Sequence, residues 1–276
     1  MVIDIPRIPL AGGVALPQVG LGVFQIPPGD TAGIVRTALA AGCRHVDTAQ
    51  MYRNEEGVGQ GIRDSGVPRE DVFVTTKLAN DAHGHDNAIT ALEGSLQRLG
   101  TDYVDLYLIH WPLPAQDKFA RTWEAFEELQ RAGKTRAIGV SNFRPVDLDR
   151  LAEEGGAVPA VNQIELHPQF RQPEAERYHR AHGIVTEAWS PLAKGDVLGA
   201  EVLTDLAAKH GRTAAQIVLA WHVLRGRVVF PKSVHPDRIR ENLDVADIEL
   251  DEAELAAIDG LDEGRRTGPD PATFQG

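Results

Sequence analysis

Residues 72–109 read VFVTTKLANDAHGHDNAITALEGSLQRLGTDYVDLYLI. Val72 to Thr76 is a β-branched and aromatic run, which favours a strand. Asn87 to Leu99 carries apolar residues at helical spacing and stops at Gly100, a residue suited to a left-handed helix end. Val104 to Ile109 (VDLYLI) reads as the next strand. A strand, a helix and a strand joined by short links form one parallel crossover unit.

The same rhythm runs outward in both directions. Upstream, Val19 to Gly22 is a strand. Asp30 to Ala41 is a helix, with Asp30 as its N-cap and Gly42 as its stop. Arg44 to Asp47 and Glu55 to Asp64 make the next pair. Downstream, helix Phe119 to Ala132 follows the quoted stretch, then strand Ala137 to Val140 and helix Pro145 to Glu154. Strand Val161 to Ile164 precedes helix Pro173 to Ala181. Strand Ile184 to Ala188 has the strongly apolar helix Thr213 to Leu224 behind it. Strand Val228 to Phe230 and helix Pro236 to Leu243 complete eight units, and Asp251 to Leu261 adds one more helix. Before the first unit, Gly12-Gly13 between two apolar triplets predicts a short β-hairpin. Eight such units close naturally into a (β/α)8 TIM barrel. The expected architecture is therefore one α/β domain, 1–276, with an N-terminal β-hairpin and extra C-terminal helices. The rival, an open doubly wound sheet, binds dinucleotides through G-x-G-x-x-G after its first strand. Gly20-Leu21-Gly22 lacks the third glycine. Gly57-Val58-Gly59-Gln60-Gly61 misses the spacing and falls inside a helix.

Composition removes several classes of function. Lys and Arg number 28 against 40 Asp and Glu, a formal net charge of −12. That argues against sequence-independent nucleic-acid binding, so an anionic ligand needs a local cationic site. One cysteine, Cys43, allows neither a disulfide framework nor a Cys-rich zinc site. Met1 to Leu10 holds Asp4, Pro6, Arg7 and Pro9, which is no signal-peptide core, and no run of 18 apolar residues suggests a membrane helix. The expectation is a cytoplasmic monomer with neither a nucleic-acid nor a membrane partner.

In a TIM barrel the chemistry lies at the C-terminal ends of the strands. Here those ends carry Asp47, Lys77, His110-Trp111, Ser141-Asn142, Gln163, Trp189-Ser190 and Lys232-Ser233, with Tyr52 just past Asp47 and Glu165 and His167 just past Gln163. Singly, each has an ordinary structural reading: Asp47 before Thr48 could cap a helix, and His110 before Trp111-Pro112 could be a satisfied buried histidine. Together they propose an acid, a cation and an orienting carboxylate. A tyrosine hydroxyl, with an ordinary pKa of roughly 10, exchanges protons poorly near neutrality. A lysine beside it lowers that value, an aspartate holds the lysine charged, and a neutral histidine can donate to a carbonyl oxygen. That set suits protonating an oxygen while hydride arrives at carbon. It lacks a nucleophile with its own base, so acyl transfer is less natural.

Asp47-Thr48-Ala49-Gln50-Met51-Tyr52-Arg53-Asn54-Glu55 resembles the D-T-A-x-x-Y-x-N-E pattern of the aldo-keto reductases. The resemblance continues through Thr76-Lys77, Asp105 to Pro112, Ile138 to Phe143, Asn162 to Pro168 and Pro231-Lys232-Ser233, over nearly the whole chain. Val23-Phe24 and Ala188 to Leu192 are similar to the bacterial 2,5-diketo-D-gluconate reductase branch. The resemblance implies a catalytic tetrad of Asp47, Tyr52, Lys77 and His110, with Tyr52 as general acid. It implies NADPH bound without a Rossmann fold. Ser141, Asn142 and Gln163 would hold the carboxamide and Trp189 would stack on the nicotinamide. Ser190, Pro191 and Leu192 would meet the pyrophosphate. Lys232, Ser233, Val234 and Arg238 would take the 2′-phosphate end, with Glu241 and Asn242 near the adenine. Phe24, Tyr52, His110 and Trp111 would line the pocket for a small carbonyl substrate. The tail, Gly264 to Gly276, would fold over it.

Three positions depart from the pattern. Ala79 stands where a tryptophan is typical, which opens one wall of the pocket. His235 stands where the branch usually has Arg, which softens NADPH preference, and Gln50 replaces a small residue. Two other classes stay in view. One is a non-catalytic, cofactor-sensing regulatory subunit of the same fold. The other is a barrel metallohydrolase using His83 and His85, or His179 and His182 on a solvated helix face. Neither histidine pair has acidic partners placed to complete a site, and no metal is expected.

Overall fold

The apolar runs form a parallel sheet because each is followed by a helix that carries the chain back to its start. The computed structural model describes residues 5–276. Met1 to Asp4, part of the stretch expected to lack a signal-peptide core, lie outside the described residues. A two-stranded hairpin, β1 (Arg7–Pro9) and β2 (Ala15–Pro17), comes first. The barrel strands are β3 (Leu21–Gly22), β4 (His45–Asp47), β5 (Phe73–Leu78), β6 (Val104–Ile109), β7 (Thr135–Ser141), β8 (Val161–Glu165), β9 (Val185–Trp189) and β10 (Val228–Val229). They stand in sequence order, every pair parallel. The ring closes where Val19 meets Val229. There Gly20 N–H donates to the Val229 carbonyl, and Val229 N–H donates to the Gln18 carbonyl, both at 2.8 Å.

The helices are α1 (Pro28–Ala40), α2 (Glu55–Ser65), α3 (His85–Leu99), α4 (Phe119–Arg131), α5 (Pro145–Glu153), α6 (Pro173–His182), α7 (Glu201–His210), α8 (Ala214–Leu224), α9 (Pro236–Leu243) and α10 (Glu252–Asp259). α3 begins two residues earlier than expected, at His85, and α10 ends two residues short, at Asp259; α1 and α7 depart further. α1 begins two residues before Asp30, because Pro28 is pre-set for the first helical turn; Asp30 sits in that turn, where it complements the helix dipole. α7 has no counterpart in the sequence reading.

Gly57, Gly59 and Gly61 settle the glycine-rich run. They lie on α2, where a Cβ would collide with Thr31 and Val35 of α1 and with the Leu99 backbone at the end of α3. The glycines let helices approach closely and are not a phosphate loop. The hairpin turns through a 3-10 segment, Ala11–Gly13, with Gly12 and Gly13 at φ of 82° and 78°. It plugs the N-terminal end of the barrel: Leu10, Val14 and Leu16 pack on Phe73, Leu106, Leu108, Ala137, Val161 and Val228. The closed bottom leaves the C-terminal rim as the open face.

Candidate active site

β4 ends at Asp47, β5 carries Lys77 as its penultimate residue, and β6 ends just before His110. Tyr52 hangs on a 3-10 turn, Gln50–Tyr52, and Arg53 reverses the chain behind it at a φ of 56°. The turn is pinned from below. Thr48 Oγ1 donates to Asn54 Oδ1 at 3.0 Å, and Asn54 Nδ2 donates to the carbonyls of Val23 and Ile26 at 2.9 and 3.2 Å. Glu55 is buried and accepts from Thr76 Oγ1 at 2.6 Å and Arg98 Nε at 2.7 Å. The unreactive letters of the motif therefore hold the loop that presents Tyr52.

The four expected residues come together. Lys77 Nζ donates to Asp47 Oδ1 at 2.6 Å, to the Thr48 carbonyl at 2.9 Å and to Tyr52 Oη at 3.4 Å. An ammonium has three donors, and all are used. Tyr52 and His110 rings meet edge-on at 5.8 Å. Burial works against the Lys77 charge, but Asp47 and Tyr52 outweigh it and hold the ammonium above the usual lysine value. His110 is driven well below the usual imidazole value by burial and by Lys77, so it is neutral at physiological pH.

Tyr52 corrects an expectation. Lys77 does favour the phenolate, but burial raises the hydroxyl further and Asp47 adds to the rise, so its pKa lies above the ordinary value. The protein holds Tyr52 as an acid.

Around this centre, Phe24 is 55% exposed and packs on Tyr52 at 5.0 Å between ring centres. Trp111 is buried against Phe274 of the tail at 4.4 Å. The tail is fixed by Glu165 at the end of β8, which accepts from Thr267 N and Oγ1 at 2.6 Å and from Gly268 N at 3.2 Å. A Cβ on Gly268 would collide with the Trp189 indole, so only glycine lets the tail lie there. Two of the departing positions touch: Gln50 Oε1 accepts from Ala79 N at 2.8 Å, while Gln50 Nε2 donates to the Ala91 carbonyl at 2.7 Å. Gln50 thus bridges the Tyr52 loop to the wall beside Ala79.

Of the residues expected around a nicotinamide, Ser141, Asn142 and Trp189 lie at the ends of β7 and β9, whereas Gln163, expected at a strand end, is the middle residue of β8, and its Nε2 donates to Asp47 and Glu187. Ser141 Oγ donates to the Gln163 carbonyl at 2.9 Å. Asn142, at a φ of 64°, donates to the His110 carbonyl and accepts from Trp189 Nε1 at 2.8 Å. The half-buried indole is thereby locked in orientation, and a fixed aromatic face fits a planar ring. Ser190, at a φ of 51°, turns the chain into Pro191 and Leu192. Lys232, Val234 and Arg238 are exposed around the start of α9, while Ser233 is buried. Neither Lys232 nor Arg238 has an acidic partner among the described residues. The first turn of α9 carries no side-chain cap beside these two cations, and its one acid, Asp237, is paired with Arg240 at 2.9 Å. That donor set fits a phosphate monoester. Glu241 is exposed and Asn242 buried, and His235 precedes the helix as its exposed N-cap.

The histidine pairs take other roles. His179 is buried and bonded to Asn162 and Thr186 at 2.9 Å, not solvated as expected, because its helix packs that face onto β8 and β9. His83 is buried and His85 pairs with Asp86 and Glu128. Among the described residues no group of three or more His, Cys, Asp or Glu could hold a metal ion. No helix among them is long and apolar enough to cross a membrane. Glu187, fully buried on β9, was missed in the sequence, as was Glu165's hold on the tail; interior alternation along β9 was the only signal for the first.

Four likenesses bear on this site. A model of the Aldo/keto reductase family matches residues 12–263. An aldo-keto reductase of Mycolicibacterium smegmatis is 53% identical over 269 residues, covering 98% of each chain. The methylglyoxal reductase DkgA of Escherichia coli is 48% identical over 271 residues, again covering 98% of each. Among solved structures, a Gox0644 variant in complex with NADPH superposes with a TM-score of 0.94 at 46% identity, covering 98% of this chain and 99% of that one.

Proposed function

The chain belongs to the aldo/keto reductase family, and we propose that it reduces carbonyl groups of small aldehydes, ketones or keto-sugar acids, 2,5-diketo-D-gluconate among them, with NADPH. The observation that carries this reading is the buried chain Asp47–Lys77–Tyr52 beside a neutral His110 at the open rim. NADPH bound to Gox0644 supports the cofactor, and the methylglyoxal reductase name of DkgA supports a small, doubly oxygenated substrate. The reading extends to a single-domain cytoplasmic monomer, and size-exclusion chromatography of the purified 30.0 kDa chain tests its oligomeric state.

When bound, the nicotinamide supplies hydride to the carbonyl carbon. The chain's own residues do the rest. Neutral His110 donates a hydrogen bond to the carbonyl oxygen and fixes its direction. Tyr52 Oη delivers the proton as negative charge grows on that oxygen. Lys77 steadies the phenolate left behind, and Asp47 keeps Lys77 charged and in place. Phe24 and Trp111 give the pocket apolar walls, while Trp189 backs the ring and Lys232 and Arg238 take the 2′-phosphate.

The test is loss of reduced-nicotinamide absorbance over a panel of aldehydes, α-keto esters and 2,5-diketo-D-gluconate. Saturable NADPH oxidation supports the reading. Tight NADPH binding without turnover on any carbonyl would instead mark a cofactor-sensing subunit. A second expected result concerns Lys232→Gly. It removes one charge-assisted contact to the extra phosphate, so KM for NADPH should rise about 10- to 100-fold, while KM for NADH changes little. Equal effects on the two cofactors would show that Lys232 does not read the 2′-phosphate.

A further inference from the structure

Glu187, in the middle of β9, is a carboxyl inside the barrel that the reaction above does not use, and it is fully buried. It lies in register with Gln163 on β8 and Val228 on β10. The single side-chain nitrogen of Gln163 serves two carboxyls. It donates to Glu187 Oε2 at 2.8 Å and to Asp47 Oδ2 at 3.0 Å. The other Asp47 oxygen accepts from Lys77, which reaches Tyr52 Oη. An unbroken line of contacts thus joins Glu187 to the hydroxyl that moves the proton. Glu187 Oε1 is buried with no protein partner among the described residues, so no group of the chain stabilises a charge on that oxygen.

We propose that Glu187 is a positioning residue whose own proton sets the charge beneath the Asp47–Lys77 pair, and through that pair how readily Tyr52 Oη releases or takes its proton. This rests on Tyr52 acting as the acid of a carbonyl reductase. The ionisable groups facing Glu187 are Asp47 from β4 and Lys77 from β5, with Tyr52 beyond Lys77. His45, on β4, is held neutral by burial, its pKa down at about 3. The paired part of β10 offers Val228 and Val229, and that of β8 offers Gln163, none of which titrates. β8 also offers Glu165 at the strand end; burial raises its carboxyl, but hydrogen bonds from His167, Thr267 and Gly268 hold it below the usual value. Burial pushes the Glu187 carboxyl up to about 8; the Asp47 charge adds to the rise, and Gln163 and Lys77 oppose it. Below that pH, Asp47 and Lys77 neutralise one another. Above it, Glu187 adds an uncompensated negative charge. That charge strengthens the hold on Lys77 and makes the phenolate harder to form. Tyr52 therefore stays an acid into alkaline solution, which favours reduction and restrains alcohol oxidation.

The test compares wild type with the isosteric Glu187→Gln across pH in both directions. The variant-to-wild-type ratio of kcat for alcohol oxidation should rise about three- to tenfold from about pH 7 to about pH 9. The alkaline fall in reduction should begin at lower pH in the variant. Parallel profiles would overturn the proposal. On wild type alone, the 13C shift of Tyr52 Cζ should step with a midpoint near the Glu187 value, and a flat trace would overturn it as well. This measurement holds even if the variant fails to fold. The two ideas fail separately: a wild type that reduces no carbonyl defeats the functional reading, whereas an active enzyme with parallel profiles defeats only this one.

Discussion

Tyr52→Phe is expected to lower carbonyl turnover by about 10²- to 10⁴-fold, the range of a lost general acid, with cofactor affinity changed by less than about twofold. The change removes one oxygen. The ring keeps its packing on Phe24 and His110, and Lys77 retains Asp47 and the Thr48 carbonyl, so no buried charge is stranded. The stability cost should stay near 1 kcal/mol, the usual net worth of one hydrogen bond. Because burial already holds the hydroxyl protonated, the loss should appear across the whole neutral pH range. Single-turnover rates and NADPH titration by fluorescence separate the two effects. A variant that kept more than about a tenth of wild-type turnover would mean another group supplies the proton.

What was legible in the sequence follows physical rules. Residues at strand ends were readable because a barrel puts every such end on one rim, so Asp47, Lys77 and His110 could be named without knowing how they touch. Helix α7 escaped because only Leu203 and Leu206 of its ten residues are buried, which leaves a weak apolar stripe. Gly211, at a φ of 62° after Lys209 and His210, was the stop signal that could have found it. His179 was misread because a histidine on a charged helix looks solvated, and only tertiary packing shows that its face meets β8 and β9. The Tyr52 shift was misread for a related reason. Sequence names the neighbouring cation, but the cost of burial depends on the depth to which Tyr52 sinks. Glu187 belongs to the same class, since alternation along β9 hints at an inward position but does not show the depth of burial or the carboxyl it faces.

Lys77→Met should be the most damaging single change in the chain, because Lys77 serves both stability and catalysis. Methionine approximates its volume but leaves Asp47 with only Gln163 as a polar partner. An uncompensated buried carboxylate costs about 3–5 kcal/mol. Burial then drives Asp47 towards its protonated form, so part of that loss returns as pH falls. Tyr52 loses the one neighbour that favours its phenolate, and turnover should fall about 10²- to 10⁴-fold. The double variant Asp47→Asn with Lys77→Met separates the two roles. Removing both charges should bring stability back to within about 1–2 kcal/mol of wild type, since a buried pair contributes little over neutral groups of similar shape. Turnover should stay at the level of Lys77→Met. Urea unfolding gives the stability differences, and steady-state kcat gives the other axis. Recovery of both together would mean that Lys77 only fills space and that its charge has no part in the proton transfer.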